Sequence, residues 1–113
     1  MSAIDIEITR FYDHMACLSW DIEDYSKWMR SYEANRYKYP AWVTNDGREI
    51  KVYDLTDEHL ANLIPFVERK DPKNETRWIE LLCQEQQYRR LSKKVVRMKQ
   101  ELEKMRYVSE MCL

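Results

Sequence analysis

Apolar positions along the chain change their spacing several times, and each spacing predicts an element. At the N-terminus Ile4, Ile6 and Ile8 alternate with Asp5, Glu7 and Thr9. A period of two marks a strand with one buried face, so a strand is expected from about Ala3 to Arg10. Ser19 then stands as a helix cap ahead of Asp21, Glu23 and Asp24, acids favoured near the partial positive charge of a helix start. Ile22, Tyr25, Met29 and Tyr32 follow at spacings of three, four and three. That stripe predicts an amphipathic helix ending near Asn35, with Trp28 beside its apolar face. Pro40 closes the connecting segment.

From Ala41 to Tyr53 the chain reads Ala-Trp-Val-Thr-Asn-Asp-Gly-Arg-Glu-Ile-Lys-Val-Tyr, and Asp46-Gly47 supplies the positive φ of a tight hairpin turn. Two registers are open. A loop of Asp46 and Gly47 sets Val43 across from Ile50, whereas a loop of Asn45 to Gly47 sets Trp42 there, which moves Trp42 relative to the core. A lone hairpin is marginal in water, so the Ile4 to Ile8 strand is expected as the third member of a small antiparallel sheet. Thr56 then caps a helix with Asp57 and Glu58 in its first turn and Leu60, Leu63, Ile64 and Val67 on one face. Pro65 is expected to kink or loosen it, and Lys70-Asp71-Pro72-Lys73-Asn74 to end it.

Glu75 to Leu113 contains neither Gly nor Pro. At about 1.5 Å per residue the helix expected here is roughly 50 to 55 Å long, more than a chain of this size needs to cover its own core. Leu81, Tyr88, Val95 and Leu102 fall seven apart, and so do Leu91, Met98 and Met105. These residues form a seam for pairing with another helix in the manner of a coiled coil, soundest from Tyr88 to Met105. Gln84 interrupts the seam and Ser109 ends it. The other helix belongs to the chain's own domain, to a second copy in a homodimer, or to a different protein. Trp78, Leu82 and Val96 lie off the seam, placed to pack the helix on its own domain. The expected fold is therefore α+β: a small domain over residues 1–74 with a small antiparallel sheet and short helices, then a long amphipathic helix over 75–113.

A chain of 113 residues suits one domain and is too short for two cores of ordinary size. Charged residues make up 35% and hydrophobic ones 44%, with one Gly and three Pro, which excludes a disordered chain and favours helix. The net charge of -1 conceals a gradient, with an acidic N-terminal third and a basic C-terminal third. Cys17, Cys83 and Cys112 are odd in number, widely spaced and without a CxxC, so no disulfide framework or zinc knuckle is indicated and a reducing setting is implied. The N-terminus lacks a cationic region followed by an apolar run, and no stretch nears the roughly 18 to 20 apolar residues that span a bilayer. A cytoplasmic location without a membrane role is expected.

Candidate chemistry is confined to surfaces. Arg89, Arg90, Lys93, Lys94 and Arg97 head a basic run with no acid between Gln86 and Gln100, the footprint of a nucleic-acid binder. Most of that run falls at outward heptad positions, which equally describes a solvated face of the long helix. Residues 12–42 are rich in Tyr and Trp interleaved with cations, and such residues dominate interface hot spots. Trp20, Tyr37, Tyr39 and Trp42 are the candidate partner-binding residues, although Trp42 equally suits the core of a domain with two Phe. Only His14 and His59 are histidines, and no metal-ligand spacing, nucleophile elbow or phosphate-binding glycine pattern exists. No catalytic or metal-binding residues and no cofactor are expected, and an enzyme is disfavoured.

Trp42-Val43-Thr44-Asn45-Asp46-Gly47 through Val52, followed by Asp54-Leu55-Thr56-Asp57-Glu58-His59-Leu60-Ala61-Asn62-Leu63-Ile64, resembles a hairpin-then-helix module of small uncharacterised bacteriophage and prophage proteins. In these a Thr-x-Asp-Gly turn precedes an Asp-Met-Thr-Asp-x-His-Leu-x-Asn-like helix start. Leu55 stands where Met is usual, and the match covers about a quarter of the chain. The resemblance implies a phage accessory protein made in a bacterial cytoplasm and implies no activity. Two function classes follow: an interaction protein that modulates or inhibits a host enzyme or defence system, or a small dimeric nucleic-acid-associated regulator using the basic run.

Overall fold

The computed structural model describes residues 3–112. In chain order it comprises α1 (Ala3–Asn35), a 3-10 turn (Arg36–Lys38), β1 (Trp42–Val43), β2 (Glu49–Ile50), a second 3-10 turn (Val52–Asp54), α2 (Asp57–Lys70) and α3 (Trp78–Cys112). The chain is mostly helical, with a small two-stranded antiparallel sheet and a long C-terminal helix, an arrangement compatible with the α+β class. Leu113, to which the last helix was expected to run, lies outside the described residues. No described helix is long and apolar enough to cross a membrane.

The expected N-terminal strand is instead the start of α1. Ile4, Ile8, Phe11, Met15, Leu18, Ile22, Tyr25, Met29 and Tyr32 recur at alternating spacings of four and three, a heptad stripe along nearly the whole helix. This long period prevails over the three-residue alternation, and Ile4 and Ile6 stand exposed on α1. Ser19 lies in mid-helix rather than at a cap, and no third strand joins the sheet among the described residues.

Two compact units divide the chain, one of residues up to Trp28 with those from Leu91 onward, the other of Met29–Arg90. This is a different division from one at residue 74. In the first unit α1 and α3 run antiparallel, because contacts at rising positions of α1 meet falling positions of α3. The Tyr12 and Ser109 hydroxyls are 3.2 Å apart, His14 Nε2 lies 3.0 Å from Glu101 Oε1, and Lys94 Nζ sits 5.2 Å from the Tyr25 ring centre. Leu18, Met98 and Leu102 are buried there, packed by Met15, Ile22, Tyr25 and Met105.

In the second unit Leu55, Leu60, Leu63, Val67 and Leu82 form the core, flanked by Trp42, Ile50, Ile64, Trp78 and Ile79. The hairpin takes the register with Trp42 across from Ile50 and Val43 across from Glu49, and Gly47 carries φ 85° as the turn demands. Thr56 caps α2 by accepting the His59 N–H at 3.1 Å, and α2 runs through Pro65 to Lys70. The last helix begins at Trp78 rather than Glu75. Asn74 and Arg77 have φ 55° and 63°, and the Asp71 carboxylate accepts the Glu75 and Thr76 N–H groups, each at 2.9 Å, holding those residues in a loop.

Candidate protein-binding surface

Within the second unit, the hairpin and α2 enclose an open cleft of about 540 Å³ whose walls include Trp42, Val43, Thr44, Asp46, Arg48, His59, Asn62 and Phe66. The turn shapes one side. Thr44 N–H donates to the Arg48 carbonyl at 2.9 Å, Gly47 N–H to the Thr44 carbonyl at 2.9 Å, and the Thr44 hydroxyl to Asp46. That hydroxyl bond holds the Asp46 carboxyl below the usual carboxylate range, with a smaller contribution from Arg48, which pairs with it at 2.9 Å. Trp42 and Phe66 both line the cleft, their rings edge-on with centres 6.4 Å apart, and Trp42 also meets Trp78 edge-on at 5.2 Å. Phe66 remains 40% exposed and Val43 57%, so apolar surface faces the opening. Among the described residues β1 pairs with β2 alone. Most of the lining residues named belong to the hairpin-then-helix stretch, so the fold gathers that sequence feature into one concave surface.

A buried polar centre stiffens the same unit. Glu85 is 1% exposed and accepts the Tyr32 hydroxyl at 2.9 Å and Arg89 Nε at 2.9 Å, with Arg36 Nη1 at 3.6 Å. Arg89 also reaches Asp57 at 2.9 Å and the Val52 and Tyr53 carbonyls at 3.3 and 3.5 Å. Burial opposes its charge, but the bonds to Glu85 and Asp57 outweigh that and raise its pKa. Burial, then the bond to Glu85, pushes the Tyr32 phenol well above its ordinary value. The Arg36 guanidinium lies 4.8, 5.4 and 5.8 Å from the Tyr88, Tyr53 and Tyr37 ring centres, a cation held on aromatic faces. A carboxylate clamped between two guanidiniums is an anchor rather than a reactive group.

The sequence-predicted residues are distributed between the units. Trp42 is half-buried at the cleft. Tyr37 is 60% exposed and packs edge-on to Tyr53 at 5.1 Å. Tyr39, half-buried, donates its hydroxyl to Gln84 at 2.9 Å. Trp20, 68% exposed, stands on α1 in the first unit. Of the seam, Val95, Met98 and Leu102 are buried while Leu81, Tyr88, Leu91 and Met105 are half-buried. Tyr88 donates to Glu33 of α1. Met98 and Leu102 of the seam pack against Leu18 of the chain's own α1 in the first unit. Among the basic candidates Arg89 is committed to internal bonds, whereas Arg90, Lys93, Lys94 and Arg97 are exposed. Cys17 and Cys83 are free and exposed, and among the described residues no group of His, Cys, Asp and Glu is arranged to hold a metal. Arg36 and Glu85 were not candidates on sequence, because neither belongs to a motif and the long stretch between them gives no local signal that they meet.

Compared with known proteins, the chain matches no protein family, no curated protein and no solved structure.

Proposed function

We propose that this chain is a non-enzymatic interaction protein that grips an extended segment of a partner protein in the cleft between its hairpin and α2. In the setting its hairpin-then-helix resemblance implies, that partner is a bacterial host enzyme or defence component, and the chain is a phage-encoded modulator of it. The observation that carries this reading is the cleft itself. Trp42, Val43, Leu63 and Phe66 line it together with donors and acceptors from Arg48, His59, Asn62 and Asp46, and among the described residues β1, which contributes Trp42 and Val43, pairs with β2 alone. Strand addition to such an edge gives affinity through main-chain bonds, and flanking pockets select side chains. The second reading, a nucleic-acid-associated regulator, retains exposed Arg90, Lys93, Lys94 and Arg97 but loses Arg89 to Glu85 and Asp57.

The test is capture by the immobilised full chain from bacterial lysate, repeated at raised salt and after nuclease treatment, with Val43→Asp and Asn62→Arg variants alongside. One host protein retained under all conditions by the parent, and lost by both variants at unchanged helicity, supports the reading. Equal capture by the variants contradicts it, and capture abolished by nuclease or salt favours the nucleic-acid reading.

A further inference from the structure

The cleft between the hairpin and α2 sets three conditions on a side chain that fills it. His59, Asn62, Leu63 and Phe66 recur on α2 at spacings of three, one and three, which puts them on one face of the helix. All four line the cleft, together with Trp42 and Val43 of β1. The Trp42 and Phe66 rings stand edge-on with centres 6.4 Å apart, and Phe66 keeps 40% of its surface open. A third ring entering beside them gains the edge-to-face or offset pairing that rings favour at centre separations of about 4.5–7 Å, an attraction that an aliphatic side chain lacks. The polar lining adds a second condition. Among the described residues the Asn62 amide and the His59 imidazole have no hydrogen-bond or ion-pair partner, the bond from His59 to Thr56 coming from its main-chain N–H. A purely apolar side chain would cover these groups and leave them without water or partner, which is costly. Charge sets the third. Arg48 and Asp46, both in the lining, pair with each other at 2.9 Å, and the Asp46 carboxylate also accepts the Thr44 hydroxyl, so no opposite charge stands ready for a cationic or anionic side chain.

We propose that the partner segment anchors in this cleft by a tyrosine or tryptophan side chain, its ring against Trp42 and Phe66 and its hydroxyl or indole N–H against Asn62 or His59. The inference rests on the partner-protein reading of the cleft and names the residue class that the cleft selects. Tyr and Trp join an apolar body to a polar tip, which is why they recur as anchors at interfaces. At about 540 Å³ the cleft falls in the range of roughly 300–1,000 Å³ typical of sites that enclose a ligand, room for one large ring with part of its neighbouring chain. A nucleotide base offers the same combination of ring and polar edge, but its phosphate would find Arg48 already held by Asp46, which favours a protein side chain.

The experiment is titration of the 113-residue chain with the N-acetyl amides of Tyr, Trp, Phe, Leu, Glu and Lys, and with uridine monophosphate. Proton–nitrogen correlation spectra follow the Trp42 indole and Asn62 amide signals, with the Trp20 indole as reference because it stands in the other unit. The Tyr and Trp amides are expected to move both cleft signals saturably and to bind about five- to tenfold more tightly than the Leu amide. Phe is expected between them, and Glu and Lys weakest. In a variant carrying both Asn62→Leu and His59→Leu the preference for Tyr over Phe is expected to shrink while Phe binding persists, which separates loss of the polar contact from loss of the cleft. Leu or Phe bound as tightly as Tyr by the parent overturns the proposal, as does tighter binding of Glu, Lys or the nucleotide. So does the absence of a saturable shift, a Trp20 shift as large as that of Trp42, or a Tyr preference undiminished in the double variant. A host protein captured through the cleft without this aromatic ranking overturns the anchor and leaves the partner-protein reading standing, whereas the ranking without any captured protein supports the anchor and contradicts that reading.

Discussion

Replacing Glu85 by Ala removes the carboxylate on which Tyr32, Arg89 and Arg36 converge. The two arginine side chains are each 18% exposed, so water reaches them poorly once the acid is gone. Removing one partner of a buried pair costs about 3–5 kcal/mol. Arg89 keeps Asp57 and two carbonyls, and Arg36 keeps three ring faces, which sets the expectation at the low end, about 3 kcal/mol. With a urea dependence of about 1.5 kcal/mol per molar, the unfolding midpoint falls by about 2 M. Far-UV circular dichroism through a urea titration reads it. Tyr32→Phe removes a single hydrogen bond to a charged acceptor and is expected to cost about 1.5 kcal/mol, with Glu85→Gln between the two. A midpoint shift for Glu85→Ala under about 0.5 M, or a larger effect from Tyr32→Phe, would show that the buried centre is not the anchor it is taken to be.

Other expectations rest on single features. Leu82 is 0% exposed in the core, so Leu82→Ala is expected to destabilise by about 2–5 kcal/mol in the same titration. Thr56→Ala loses the α2 cap and is expected to cost about 1 kcal/mol. The Tyr32 phenol is raised from an ordinary 10.0, so its contribution is complete below that pH and is lost as pH rises beyond it. Urea titrations from neutral to strongly alkaline pH are expected to show a fall in stability that flattens in Tyr32→Phe. The Asp71 carboxyl is held below its ordinary value first by the Thr76 hydroxyl and then by N–H bonds from Thr76 and Glu75. Its stabilisation is therefore present above the ordinary carboxylate range and lost as pH falls through the depressed value, and Asp71→Asn is expected to remove that part of the acid dependence.

Local signals in the sequence identified the hairpin, the Thr56 cap and the break after Lys70, because each depends on residues within one or two turns. The register was not decided locally. Trp42 lies across from Ile50, and its indole packs against Trp78 and Phe66, contacts that only tertiary structure supplies. The N-terminus was misread because three isoleucines at a period of two outweighed a heptad stripe whose spacing becomes evident only when Ile22 to Tyr32 is followed back through Leu18, Met15, Phe11 and Ile8. That stripe is also the signal that names the partner of the α3 seam. Glu85 and Arg89 sat in the sequence as ordinary members of a charged helix face. Their burial arises from the 3-10 turns and α2 arriving beside them, and no spacing within α3 encodes it. The cleft was legible as a motif but not as a surface, since its concavity depends on how the hairpin lies against α2.

In the first unit Met98 and Leu102 of the α3 seam pack on Leu18 of the same chain's α1. Methyl NOEs from Leu18 to Met98 and Leu102, which pack together in one cluster, test this directly in the 113-residue chain. Strong cross-peaks are expected in a uniformly labelled sample, and none in an isotope-filtered experiment on mixed labelled and unlabelled chains. The same cross-peaks surviving the filter would contradict it, because the seam would then be closed by another copy.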